Sequence, residues 1–369
     1  TFLPGGRAPG VGEVFRNPAL AATLETIAAG GRDAFYRGTI GAAIAADLQR
    51  RDGLIEAGDF AAHRSDWVAP VSTTYRGHEV FELGLNTQGF VALEMLNILE
   101  AFDLRSLGHN SGAYLHLLVE ANRIAFADRA AYLADGDAVP EAIQQMLVSK
   151  EYAARRRREI SPDRAAPSYA PGTPGKETGT AAPRVSATGD TVYLTAADGN
   201  GNVVSLIQSL YDAFGAAIVA GDTGVALQNR GALFTLEAGH PNRVAPGKRP
   251  FHTLVPAMVM TDGRPWLSFG VMGGDMQPQG HVQVLLNLVD FGMNVQEAGE
   301  APRYRLRGSA VALESAIGQE ARADLTRRGH RVITGFGMWG GFQGILIDPR
   351  SGVLMGGSDP RKDGLAIGY

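Results

Sequence analysis

The feature that most constrains this chain is a break in composition. Ser161 to Asp190 carries Pro162, Pro167, Pro171, Pro174 and Pro183 among Gly, Ala, Ser and Thr, with hardly a large apolar residue. Such a stretch cannot bury a core of its own, and about 30 residues far exceeds the usual connection of roughly 4 to 6. It separates a helix-rich front from a strand-rich back, so the expected organisation is 1–160, a flexible linker over 161–190, and a second part over 191–369. In the front, Asn17 and Pro18 read as a helix start, with Leu20, Leu24 and Ile27 on one stripe and Gly30-Gly31 as its end. Ile40, Ile44 and Leu48 mark a second helix ending at Asp52-Gly53. Strands are expected at Val71 to Tyr75 and Glu79 to Leu83, then a loop from Gly84 to Gly89 opening a helix through Ile98, and a further helix from Ser111 to Tyr132. Behind the break, Thr191 to Ala197 and Val203 to Ser209 read as a hairpin. Thr253 to Met260 and Trp266 to Val271 read as another, leading through Met272-Gly273-Gly274 into a helix around His281 to Val289. Helices and strands in this order imply layered packing of both.

Composition then removes whole classes of function. The 369 residues contain no cysteine, which excludes disulfide scaffolds, thiol nucleophiles and cysteine-bound zinc. A net charge of -4 leaves no electrostatic footprint for nucleic acid, and apolar runs such as Val282 to Val289 are too short to span a bilayer. Neither a nucleic-acid partner nor a membrane partner is expected. The only lysines are Lys150, Lys176, Lys248 and Lys362, few candidates for Schiff-base chemistry. No Gly-x-Ser-x-Gly elbow, P-loop or His-Glu-x-x-His is present, and no Gly-x-Gly-x-x-Gly is read after a strand. The eight histidines are scattered singly, so no metal and no cofactor is assigned. Asp128, Asp275 and Asp359 read as caps or ion-pair partners. The Gly- and Pro-rich start, without initiator Met or leader pattern, reads as an interior point of a longer protein, and the expected compartment is the cytoplasm.

What remains is the junction Gly189-Asp190-Thr191, where the pliable stretch meets the first residue of an expected buried strand and that residue carries a hydroxyl. If the peptide bond before Thr191 is cut, one residue supplies a nucleophile and, in its new α-amine with a pKa near roughly 8, the base that activates it. Thr at a strand start is also commonplace, since β-branched residues favour strands. Gly273-Gly274, between a strand and a helix, offers two backbone N–H groups to a developing oxyanion, although Gly is equally the ordinary residue of such turns.

Taken together, Asn17 to Tyr36, Gly53 to Tyr75, Leu93 to Asp135, Thr191 to Asn229, Lys248 to Pro256, Gly270 to Pro302 and Gly357-Ser358-Asp359-Pro360-Arg361 resemble the γ-glutamyltransferase (γ-glutamyltranspeptidase) family of N-terminal nucleophile hydrolases. The resemblance implies an α+β fold, a four-layer αββα sandwich. It also implies a precursor that cuts itself between Asp190 and Thr191 into large and small subunits that stay together, with a homo- or heterotetramer as a further expected assembly. Thr191 matches the nucleophile. Ser209, eighteen residues on, matches the hydroxyl that hydrogen-bonds it, and Gly273 and Gly274 match the oxyanion pair. Family members begin well upstream of Thr1, where an arginine that clamps the donor carboxylate lies.

The donor pocket departs from the γ-glutamyl pattern. The resemblance places Leu233 where an aspartate binds the donor amine, Arg230 for a glutamine, Tyr211 for an asparagine, and His252 and Thr253 for paired carboxylate-binding serines. Val192 and Tyr193 replace the threonine and histidine that follow the nucleophile. Leu233 cannot hold an ammonium, whereas Arg230 can hold a carboxylate. With Asp190 to Leu194, Gln228 to Gly231 and Met272 to Asp275, the chain is similar to the branch that includes oxamate amidohydrolases. The expected activity is hydrolysis of a small amide bearing a carboxylate through an acyl-threonine intermediate, oxamate giving oxalate and ammonia. The alternatives are a γ-glutamyltransferase or glutathione hydrolase with an altered pocket, and an uncut, inactive binding homologue.

Overall fold

The structure, a computed structural model, describes residues 1–173, 189–335, 337 and 339–369, with the side chains of Gly189 and Asp190 outside the described set. Two compact units emerge: Thr1–Val68 with Asp212–Asn229, and Ala69–Tyr211 with Arg230–Tyr369.

The first unit is built on helices α1 (Pro18–Tyr36), α2 (Thr39–Gln49) and α3 (Ala57–Ala62). Asn17 caps α1 by accepting from Leu20 N–H at 3.1 Å, with Pro18 in the first turn. Gly31, at φ +63°, breaks the helical geometry where the Gly pair is expected to end the helix, but the chain re-enters a helical turn and continues to Tyr36. Ile40 and Ile44, four apart on α2, bury against Ala220 in a small core of this unit.

The second unit contains β1 (Val71–Tyr75), β2 (His78–Glu82), α4 (Gly89–Leu99), α5 (Leu104–Leu107), α6 (Gly112–Tyr132), α7 (Glu141–Leu147), α8 (Lys150–Arg157), β3 (Gly189–Ala197) and, up to Tyr211, β4 (Val203–Asp212). It continues with β5 (Ala257–Thr261), β6 (Arg264–Met272), α9 (Met276–Val289), α10 (Val295–Glu300), β7 (Tyr304–Arg307), β8 (Ala310–Leu313), α11 (Gln319–Arg327), β9 (Arg331–Thr334), β10 (Gly341–Ile347) and β11 (Leu354–Ser358). The main sheet runs β1-β2-β5-β6-β10-β11, every neighbour antiparallel. A separate sheet, β7-β8-β9, pairs β8 and β9 in parallel through the crossover helix α11.

Alternation along β6 sets the layers. Leu267, Phe269 and Val271 are fully buried, and Val271 sits so close to Gly280 of α9 that any side chain there would collide with it. Successive residues point to opposite faces. Accordingly Ser268 accepts from Thr195 Oγ1 at 2.7 Å, and Gly270 leaves room for the Tyr193 ring. Helices therefore cover one face of the main sheet and the β3-β4 hairpin covers the other, giving the consecutive α, β and β layers of the expected sandwich. Helix α4, buried along its whole length, lies in the helical layer against α6, α8 and α9.

Two expectations change. The run 335–340 does read Gly-x-Gly-x-x-Gly after strand β9, but it leads into strand β10; without a following helix it is no dinucleotide-phosphate cradle. Residues 161–173, the described front of the expected linker, are tied to α6 and α8 by polar contacts. Glu120 accepts from Ala166 N–H and Tyr169 O–H at 2.9 and 2.6 Å, and Asp128 accepts from Gly172 N–H at 2.6 Å. Arg123 donates to the carbonyls of Ala166 and Pro167, and Arg156 to that of Ala170. This segment buries little apolar surface, and charge-assisted bonds to its backbone take that role. The rest of the expected linker, to 188, lies outside the described residues. No helix among the described residues is long and apolar enough to cross a membrane.

Candidate active site

Strand β3 starts at Gly189, two residues before the expected start, and Thr191, buried at 3% exposed, stands on its inward-facing row: 191 and 193 are buried, 192 and 194 exposed. The same row meets β6 in two-residue steps, Thr195 at Ser268 and Tyr193 at Gly270. The next members of these two rows in sequence are Thr191 and Met272, the residue that leads into Gly273-Gly274. Two sheets packed face to face thus carry Thr191 near the start of β3 and the Gly273-Gly274 turn directly after the end of β6, both next to rigid strands.

Both glycines need their residue type. Gly273 has φ +123°, which side-chain-bearing residues rarely adopt, and a Cβ there would stand 3.2 Å from Gly340 Cα and Met276 Cβ; Gly274 has φ +62°. Their carbonyls turn into α9, accepting from Met276 and Gln277 N–H at 3.1 Å each. Among the described residues neither glycine N–H donates a backbone hydrogen bond. Two such donors at a strand-to-helix turn are what an oxyanion requires.

A residue without a role in the sequence reading holds this turn. Gln88, fully buried at the start of α4, donates through Nε2 to Gly274 O at 2.9 Å and Thr253 O at 3.0 Å. It was hidden because a Gln in a Gly-bounded loop has no sequence signature. Gln88→Leu keeps the volume but removes both donors, so we expect kcat to fall about 10- to 100-fold, as for one or two lost hydrogen bonds, with KM little changed. Steady-state kinetics on the substrate proposed below check this split. Beside the turn, Arg129 pairs with Asp275 at 2.7 Å.

The remaining expected residues form a second cluster. Ser209 Oγ accepts from Arg230 Nη2 at 2.5 Å and from Tyr211 N–H at 3.1 Å. With both lone pairs engaged, its own O–H proton is left to donate. Tyr211 is buried at φ +82°, a strained conformation for an aromatic residue, and its ring lies under the Arg230 guanidinium at 5.5 Å. Burial pushes Arg230 down to about 10, partly offset by Tyr211, so it stays charged at neutral pH. Burial, then the Arg230 charge, push His252 down to about 4, making it neutral. His252 Nδ1 accepts from Leu254 N–H at 3.3 Å, which leaves Nε2 to carry the proton. Leu233, 4% exposed, stands three residues after Arg230 in a 3-10 turn, where side chains i and i+3 eclipse. Thr253, 1% exposed, joins the two clusters through Gln88. The Asp190 side chain is outside the described residues.

The three carboxylates read as structural are engaged that way: Asp128 by Tyr152 O–H at 2.6 Å, Asp275 by Arg129, and Asp359 by Arg303 at 2.8 Å and Arg361 at 3.0 Å. Histidines expected to be scattered do meet once, for His116, Glu120 and His330 bring ligand-type atoms within 4.8 Å of one another. Those residues are already engaged in hydrogen bonds. His116 Nε2–H donates to Ser161 O at 2.7 Å, so its Nδ1 accepts from His330 Nε2 at 2.7 Å, and Glu120 accepts from Arg123, Ala166 and Tyr169. Burial, then the neighbouring His116, push His330 down to about 4, with Glu120 opposing and Arg123 and Arg328 adding to the shift. A histidine with a depressed folded pKa supports stability above its unfolded pKa near 6.5 and loses that support as pH falls toward 4. The wild-type chain is therefore expected to lose on the order of 2 kcal/mol more than His330→Gln between pH 7 and 4.5. Urea unfolding of both at the two pH values measures the difference.

A family model described as Gamma-glutamyltranspeptidase matches residues 1–369. The chain is 39% identical over 376 residues to the Glutathione hydrolase-like YwrD proenzyme of Bacillus subtilis (strain 168), covering 100% of this chain and 68% of that one. It is 36% identical over 367 residues to the Acylase ACY 1 proenzyme of Pseudomonas sp. (strain SE83), covering 99% and 63%. To the Oxamate amidohydrolase proenzyme of Klebsiella pneumoniae subsp. pneumoniae it is 35% identical over 378 residues, covering 100% and 68%. Among solved structures, the cephalosporin acylase from Bacillus halodurans superposes with a TM-score of 0.91 at 40% identity, covering 100% of this chain and 66% of that one. The chain spans about two thirds of the length of these relatives.

Proposed function

The chain belongs to the gamma-glutamyltranspeptidase family, whose fold it shares, and on that premise we propose that it is part of an amidohydrolase cut before Thr191 and specific for a small amide whose acyl part bears a carboxylate but no α-amine. Relatives named as proenzymes and as hydrolases or acylases support the reaction class. The observation that carries the specificity is Arg230 within 2.5 Å of Ser209, with Leu233 one 3-10 turn away where an ammonium acceptor is needed. An ammonium set against a buried leucine beside an arginine loses its water without gaining a partner, which penalises γ-glutamyl donors by several kcal/mol. A carboxylate meets Arg230 and the Nε2–H of neutral His252 instead.

In the proposed mechanism the α-amine of Thr191 takes the hydroxyl proton as Oγ1 attacks the amide carbon. Gly273 and Gly274 N–H hold the oxyanion, and Ser209 O–H donates to the threonine oxygen. Collapse expels the amine, or ammonia from oxamate, with the proton returned from the α-amine. Water then cleaves the acyl-threonine ester, so that oxamate and water give oxalate and ammonia. Large and small subunits arise from one precursor.

Ammonia release from oxamate, measured beside anilide release from a γ-glutamyl anilide, tests the reading. Turnover of oxamate with at most a hundredth of that rate on the anilide supports it. The reverse preference overturns it in favour of a glutathione hydrolase.

A further inference from the structure

Away from the active site, a cavity of about 340 Å³ opens where α6, the 161–173 segment, the end of α11 and the start of β9 meet. Four arginines line it, one from each of these elements or its edge: Arg123, Arg164, Arg328 and Arg331, with His330 on the wall. The inner two are held in place. Arg123 pairs with Glu120 at 3.0 Å and donates to two carbonyls of the segment, and Arg328 pairs with Asp324 at 2.9 Å and with the exposed Asp163 at 3.8 Å. The outer two differ. Among the described residues the side chains of Arg164 and Arg331 have no ion-pair or hydrogen-bond partner, although both border the same concavity. His330, neutral at physiological pH, adds a polar ring and no charge.

Guanidiniums that line one concavity repel one another less when an anion lies among them, and their planar donor forks match the oxygens of a phosphoryl group. A monoanion would leave one of the two unmatched arginines uncompensated. The volume admits a phosphate or diphosphate, each water displaced accounting for about 30 Å³. We propose that this pocket binds a small phosphate-type polyanion, held chiefly by Arg164 and Arg331 against the fixed Arg123 and Arg328. Bound there, the anion ties the segment that runs toward Thr191 to α11 and β9. The inference does not rest on the amidase reading.

The test is isothermal titration of the whole protein with inorganic phosphate, pyrophosphate and phenyl phosphate, with sodium chloride holding ionic strength constant. Saturable binding of about one pyrophosphate per chain is expected, weakened at least tenfold in the Arg164→Ala/Arg331→Ala double variant and retained in Arg230→Gln. Both outer arginines are exposed, so an unchanged thermal midpoint in chloride alone confirms that the double variant folds. Binding of phenyl phosphate as tight as that of phosphate identifies a phosphomonoester as the ligand type, and weaker binding identifies the free anion. The proposal is overturned if no heat saturates, if the double variant binds as tightly as the parent, or if Arg230→Gln is the variant that loses binding.

Discussion

Thr191→Ala is expected to yield a chain that is folded, uncut and inactive. The substitution removes Oγ1 and Cγ2 from the inward row of β3 at the cost of some strand propensity, but it leaves the packing of Tyr193 over Gly270 in place, so the chain stays folded with a modestly lower thermal midpoint. One hydroxyl is asked to do two jobs, attack on the preceding peptide bond and attack on the substrate amide, and both fail together. Loss of a nucleophile lowers turnover by about 10⁴-fold or more. Thr191→Ser keeps the oxygen and should retain both cleavage and measurable activity. Denaturing electrophoresis and ammonia release read the two functions separately. An alanine variant that is uncut yet active would sever their link.

The second large effect belongs to Arg230. Truncating one member of a buried charge pair costs about 2 to 5 kcal/mol, so Arg230→Gln is expected to lower kcat/KM for oxamate by roughly 10²- to 10³-fold, mostly through KM. Because Arg230 Nη2 also holds Ser209, a smaller loss in kcat should accompany it. Amides without a carboxylate should lose only that smaller part, and this contrast separates recognition of the acid from general damage to the site. Arg230→Lys should rescue poorly, since a point charge cannot both reach Ser209 and fork onto a carboxylate. Equal losses on both substrate types would remove Arg230 from the recognition role.

How much of this could be read beforehand depends on what each element rests on. Local signals did well where local physics decides. Ser111 accepts from Tyr114 N–H and starts α6 as expected, and β3 with β4, and β5 with β6, fall close to the runs that alternation marks. The first strand of the second hairpin starts late, at Ala257, because the Thr253 carbonyl accepts from Gln88 and the Val255 N–H donates to Gln277, so neither group joins the ladder. Beyond Val289 the reading named no elements, yet β10 lies between β6 and β11. Its Gly341-Phe342-Gln343-Gly344 run lacks strand composition, and it is a strand because Phe342 packs into the core while glycines allow close neighbours. The 161–173 segment misled for a related reason: apolar content says nothing about carbonyls and amides captured by Arg123, Glu120 and Asp128. Gln88 and the His116–His330 pair are contacts across 186 and 214 residues, which spacing cannot reveal.

Everything proposed for the chemistry requires that residue 191 become a chain terminus. The direct measurement is the intact mass and first residues of each polypeptide in an active preparation of the whole protein. The account predicts a fragment beginning Thr-Val-Tyr and running through Tyr369. Full amidase activity from material in which the Asp190–Thr191 bond remains unbroken would contradict it.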